Sequence, residues 1–160
     1  MKKLSIVMYH YTRDLINSRY PNIKGLDVSA FRKQIEFFKN KFNVVTMEEV
    51  ISCAEGKSEL PENAVLLTFD DGYIDNYTYA LPILEDAGIQ GSFFIPGKTF
   101  ATHRLLDVNK IHYILAVADI NNLVVDLKKR MDHYRGSEFD FPSTDELFEE
   151  YAVADRLDSK

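Results

Sequence analysis

Six consecutive residues, Ala64-Val65-Leu66-Leu67-Thr68-Phe69, hold one polar side chain, and the run then stops on Asp70, Asp71 and Gly72. A strand with no alternation of apolar and polar residues is covered on both faces, as the central strands of a parallel sheet are. This segment points the chain toward helices packed on a parallel sheet, and it sets two carboxylates at the C-terminal end of the best strand.

The flanking pattern agrees. Leu4–Tyr9 is a short apolar run consistent with a buried strand, ending at His10 in a polar loop that continues to about Leu26. From Ser29 the spacing becomes helical, because Phe31, Ile35, Phe38 and Phe42 fall at steps of four, three and four and give one apolar face. Residues 43–46 read as a brief strand, and Thr46-Met47-Glu48-Glu49 has the capping-box spacing that opens a helix running to Gly56. Residues 57–63 are a polar loop. Residues 75–87 are helical in pattern, with Pro82 starting a new turn after a kink and Gly88 as the stop. Residues 91–95 predict a fourth strand, closed by Pro96-Gly97.

Strands alternating with helices at this spacing predict right-handed parallel βαβ units, in an open doubly wound sheet or a (β/α) barrel, with functional loops at the C-terminal strand ends. After Lys98 the pattern is helical only, over residues 107–118, 122–133 and Thr144–Tyr151, the last with a Ser143 cap and Glu146 three residues on. Four short strands cannot close a barrel of about eight, so the sheet is open or incomplete. The chain thus divides into an α/β part, residues 1–100, and a helical insertion or extension, residues 101–160.

With 160 residues, 46% hydrophobic and 28% charged, the chain has the composition of one soluble globular domain. Its 25 acidic and 19 basic residues give a net charge of −6, and the basic residues form no long block, which disfavours a nucleic-acid partner. The N-terminal apolar stretch breaks after about five residues, short of the roughly 7–15 of a signal peptide's apolar region. Nothing approaches the ~20 apolar residues of a membrane span. Cys53 is the single cysteine, which fits a reducing compartment and a cytoplasmic location, and it reads as a small hydrophobe packed on a helix.

On spacing alone, Asp70-Asp71-Gly72 admits two readings. One is a solvated turn, since Asp and Gly are frequent turn residues. The other is a site in which a rigid strand presents hard oxygen ligands or a general base, with Gly72 turning the backbone away. His10 ends the first strand and would share a rim with the two aspartates, so it reads as a site-lining residue. His112 lies among Ile111, Tyr113 and Ile114 and reads as structural, while His103 and His133 read as surface loop or helix-end residues. No Gly-rich phosphate loop is present. The acidic pair differs from the Asp-x-Asp of haloacid-dehalogenase-like phosphatases, because position 72 is Gly. Glycoside hydrolysis stays open, since spacing in sequence does not fix the distance between two carboxylates.

Thr68-Phe69-Asp70-Asp71-Gly72-Tyr73 resembles the first signature of the polysaccharide deacetylase, or NodB-homology, family. Val7-Met8-Tyr9-His10 is similar to the strand-then-histidine opening of many members, Ala80-Leu81-Pro82-Ile83-Leu84 to the helix after the signature, and Gly91-Ser92-Phe93-Phe94-Ile95 to the next strand. The likeness covers about residues 4 to 100. It implies a distorted (β/α) barrel, incomplete in this chain, that removes N- or O-acetyl groups from a sugar with one divalent metal, usually zinc. Carried over by position, Asp70 would be the general base and Asp71 a metal ligand, with His10 and Tyr73 substrate-binding or site-lining. An acetylated carbohydrate is the implied partner.

The chain also departs from the family pattern. The family's second signature supplies two histidines about four or five residues apart, which with one aspartate make the three protein ligands of a catalytic zinc. Here the nearest two histidines, His103 and His112, are nine apart. The later arginine-bearing and leucine/histidine-bearing signatures are missing too. Three explanations stand: the chain is the N-terminal part of a longer deacetylase, its own histidines substitute, or it is a noncatalytic relative that binds carbohydrate or protein. An incomplete sheet has open edges, so such a chain is expected either to form a homo-oligomer or to need a missing C-terminal part.

Overall fold

The computed structural model describes residues 3–151 of the chain. It falls into two compact units that divide between Val117 and Ala118. The first contains β1 (Leu4–Tyr9), β2 (Thr12–Arg13), β3 (Leu26–Asp27), α1 (Val28–Lys41), β4 (Asn43–Val45), α2 (Met47–Ala54), β5 (Ala64–Phe69), a π-helical turn (Asn76–Ala80) running into α3 (Leu81–Ala87), β6 (Ser92–Phe93), α4 (Gly97–Thr102) and α5 (Asp107–Val117). The second contains α6 (Ile120–Tyr134) and α7 (Thr144–Tyr151).

All six residues of β5 are buried, and β5 is the centre of a parallel four-stranded sheet. β1 runs along its whole length in the register Leu4↔Ala64 to Tyr9↔Phe69. A strand has two edges, so β4 and β6 share the other one, β4 against residues 64–66 and β6 against Thr68 and Phe69. The mixed α/β class with parallel strands is as the sequence predicts, and among the described residues the sheet stays open rather than closing into a barrel.

One face of this sheet is fully covered. Val65, Leu67 and Phe69 of β5, with Val7 and Tyr9 of β1, pack on Phe31 and Ile35 of α1 and on Ile83 and Leu84 of α3. Aromatic rings continue the layer, with Tyr9 stacked on Phe69 at 5.0 Å and Phe69 on Phe93 at 4.8 Å. The other face is covered at one end only. Ala64 and Leu66 pack with Val45 and with Met47 and Val50 of α2, whereas Ile6 and Met8 are 61% and 59% exposed.

Local signals act as their chemistry dictates. Asp27 caps α1 by accepting from the Ser29 N–H, and Thr46 and Glu49 form the reciprocal capping box of α2. The kink expected at Pro82 is the π-helical turn itself, in which the Leu81 N–H reaches back to Asn76 O. Widening the helix there lets Pro82, which has no N–H to give, sit in the first turn of α3. Residues 91–95 form a ladder only at Ser92 and Phe93, since β5 ends at Phe69 and leaves no partner beyond it. The expected loop over residues 10–26 contains the paired β2 and β3, two-residue strands too short for any periodicity to show.

In the second unit Arg135 ties the two helices' ends together, donating to Asp132, to the Pro142 carbonyl and to Thr144. α7 opens with the Ser143 and Glu146 box that its sequence predicts. Among the described residues no helix is long and apolar enough to cross a membrane.

Candidate active site

The C-terminal end of β5 is pinned on both sides. Asp70 N–H donates to Tyr9 O at 2.9 Å, and Phe94 N–H donates to Phe69 O at 2.8 Å. Immediately afterwards the backbone takes two left-handed residues in succession, Asp71 at φ 68° and Gly72 at φ 60°. Glycine adopts that conformation freely, but for Asp71 it is sparsely populated and is held only where the surroundings enforce it.

The enforcing contacts come from behind the turn. Tyr73 Oη donates to Asp71 Oδ2 at 2.6 Å, and Asn109 Nδ2 of α5 donates to Tyr73 Oη, also at 2.6 Å. Burial first, and then the bond to the Asp71 carboxylate, push the Tyr73 hydroxyl far above the usual tyrosine range, so it remains a donor. Its ring stacks on Tyr11 at 4.1 Å, and His112 Nδ1 lies 3.3 Å from the Tyr11 hydroxyl. Beside this cluster, Arg13 of β2 donates Nε to Asp75 Oδ2 at 2.6 Å, an ion pair whose two side chains are each 10% exposed. Arg13 thereby anchors the start of the π-helical turn. α5 belongs to this arrangement through Asn109, His112 and Tyr113, although its sequence shows only a helix.

In front of the turn lies an open cleft of about 570 Å³, bordered by Asp70 and Asp71 and floored by Ile6, Met8, Phe94 and Ile95. Its floor is the uncovered sheet face. Asp70 has no hydrogen bond or ion pair with any described side chain, so its carboxylate is open to the cleft. Asp70, Asp71 and Tyr73 are thus brought together, Tyr73 behind the turn rather than on the cleft wall. His10 is exposed on the loop after β1 and lies outside the cleft's lining. Arg13, Asp75, Asn109 and Tyr11 are the members of the site that sequence reasoning missed.

Strand, acidic turn and following helix recur in known proteins. Residues 57–134 match the polysaccharide deacetylase family model. This stretch is similar to part of a polysaccharide deacetylase domain. YxkH of Bacillus subtilis (strain 168), provisionally named a polysaccharide deacetylase, is 33% identical over 97 residues, 61% of this chain and 33% of that protein. The poly-beta-1,6-N-acetyl-D-glucosamine N-deacetylase of Escherichia coli (strain K12) is 33% identical over 81 residues, 49% of this chain and 12% of that protein. The solved structure of a de-N-acetylase from Aggregatibacter actinomycetemcomitans matches with a TM-score of 0.54 at 28% identity, covering 64% of this chain and 42% of that one. The chain therefore spans a third or less of the curated relatives it matches. The family match continues through α4 and α5 to Tyr134, past the last motif legible by eye.

A deacetylase site that used zinc would need about three protein ligands. Among the described residues no three His, Cys, Asp or Glu side chains are grouped to hold a metal ion. The acidic pair alone does not fit a complete metal centre.

Proposed function

We propose that this chain supplies the acidic half of a metal-dependent active site that removes acetyl groups from an N- or O-acetylated sugar or polysaccharide precursor. In this reading the chain is the N-terminal part of the enzyme, acting in a reducing compartment, and the remaining ligands come from sequence after Lys160. The observation that carries it is the Asp70 carboxylate, without a hydrogen bond or ion pair among the described residues, at the rim of an open cleft inside a segment matching the polysaccharide deacetylase family model.

Asp70 is the general base that takes the proton of the attacking water. Asp71 is one carboxylate toward a divalent cation, zinc by the family resemblance. Since the residues present do not complete that centre, the chemistry assigned to this chain ends with the base. His10, the residue after the Tyr9 carbonyl that pins Asp70, is assigned to substrate contact. The name of the Escherichia coli relative makes a polymer of N-acetylated glucosamine the first substrate to test.

In the complete protein, Asp70→Asn is expected to lower acetate release from such an oligomer by about 10²–10⁴-fold with metal content unchanged. Full activity in that variant would overturn the assignment.

The exposed Ile6 and Met8 support a second reading, a noncatalytic carbohydrate- or protein-binding relative whose open face is covered by another molecule. Light scattering separates the two. A monomeric chain that binds neither carbohydrate nor protein counts against the second reading.

A further inference from the structure

We infer that Asn109 is a positioning residue for Asp71, acting through the Tyr73 hydroxyl, so that α5 sets the direction of a carboxylate it does not touch. The inference rests on the deacetylase reading for its consequence to catalysis, but its geometry stands independently.

Three observations carry it. First, the chain of donors has one sense: Asn109 Nδ2 gives to Tyr73 Oη, and Tyr73 Oη gives to Asp71 Oδ2, each at 2.6 Å. An amide nitrogen has no acceptor capacity, so with Asn109 donating, the hydroxyl cannot return its proton there, and the Asp71 carboxylate at 2.6 Å is the charged acceptor beside it. Second, Asn109 is 5% exposed on a helix whose neighbouring Val108 and Ile111 are 47% and 53% exposed, so a polar side chain is more deeply buried than the apolar ones beside it. An amide in that place is retained against its desolvation by the partner it finds. Third, Asp71 sits at φ 68°, and the bond from Tyr73 is its one side-chain hydrogen bond among the described residues. With Oδ2 engaged, Oδ1 is the Asp71 oxygen left without a hydrogen bond among the described residues. Hydrogen bonds to a liganding or reacting carboxylate fix its orientation in this way.

The experiment compares Tyr73→Phe, which keeps the ring on Tyr11, Asn109→Asp, which keeps the shape but replaces the donor by an acceptor, and the double variant. Each is checked for folding by circular dichroism and labelled with ¹³C at the aspartate carboxyls. At fixed pH, both single variants are expected to move the Asp71 carboxyl resonance while distant aspartates such as Asp119 stay in place. In the complete enzyme kcat is expected to fall on the order of tenfold to a hundredfold with KM within about twofold, as small misplacements of a reacting group do. The double variant is expected to lose no more than Tyr73→Phe alone, because Asn109 acts through that hydroxyl.

An Asp71 resonance that ignores Asn109→Asp in a folded chain overturns the inference, as do additive losses in kcat. If Asn109→Asp does not fold, an unchanged Asp71 resonance in Tyr73→Phe overturns it alone. Should Asp70→Asn retain activity, the deacetylase reading falls while the carboxyl resonances still report on the relay.

Discussion

Asp71 and Gly72 occupy the same left-handed region for different reasons. Gly72 has no Cβ to clash, and an added one would lie 3.0 Å from Ile95 Cγ2 on the floor of the cleft. Gly72→Ala is therefore expected to lower stability by about 1–2 kcal/mol from backbone handedness alone, measured by urea denaturation. An unchanged midpoint would mean that the turn relaxes to another conformation. Tyr9 carries a different signature. Burial raises its hydroxyl from 10.0 to about 12 while it donates to Gln34 Oε1 at 2.9 Å. A raised pKa means that the folded state holds the proton more tightly, so this stabilisation is complete below pH 10 and is lost as pH rises toward about 12. Tyr9→Phe is expected to flatten that alkaline limb in a stability-against-pH series.

At the scale of elements, much was legible. The apolar run of β5, the phenylalanine stripe of α1 and the two capping boxes are local patterns, and local chemistry suffices to form them. The short β2–β3 ladder was not legible, because Thr12 and Leu26 are partners apart in sequence and two-residue strands show no period, whereas the π-helical turn showed only as a kink and α4 left no pattern of its own. The same holds within the site. Asp70 and Asp71 announce themselves by adjacency, whereas Arg13 meets Asp75 across 62 positions and Asn109 meets Tyr73 across 36. Gly91 shows how tightly the covered side of the sheet is filled. A Cβ there would sit 2.6 Å from the Phe69 ring and 3.0 Å from Leu84 Cδ1. Gly91→Ala is expected to cost about 1–3 kcal/mol by overpacking, read as a lower melting temperature. The neighbouring rings stack on both sides of Phe69, so little room exists for it to yield.

At the scale of the molecule, the sheet of the first unit is a layered structure with one finished side. If sequence after Lys160 completes the site, the same sequence should cover Ile6 and Met8. Mild peroxide treatment followed by mass spectrometry tests this through the Met8 thioether, which is expected to oxidise readily in the 160-residue chain and slowly in the longer protein. Equal rates in the two would count against that covering.

The pairing of β1 has a further consequence for how the protein is made. Leu4 meets Ala64, and along all six residues β1 has no other strand partner among the described residues. On a ribosome the first strand must therefore wait, extended and apolar, until a strand sixty residues later has emerged. Contacts of such separation form slowly. Nascent-chain chaperones would have their longest opportunity to bind at β1 itself.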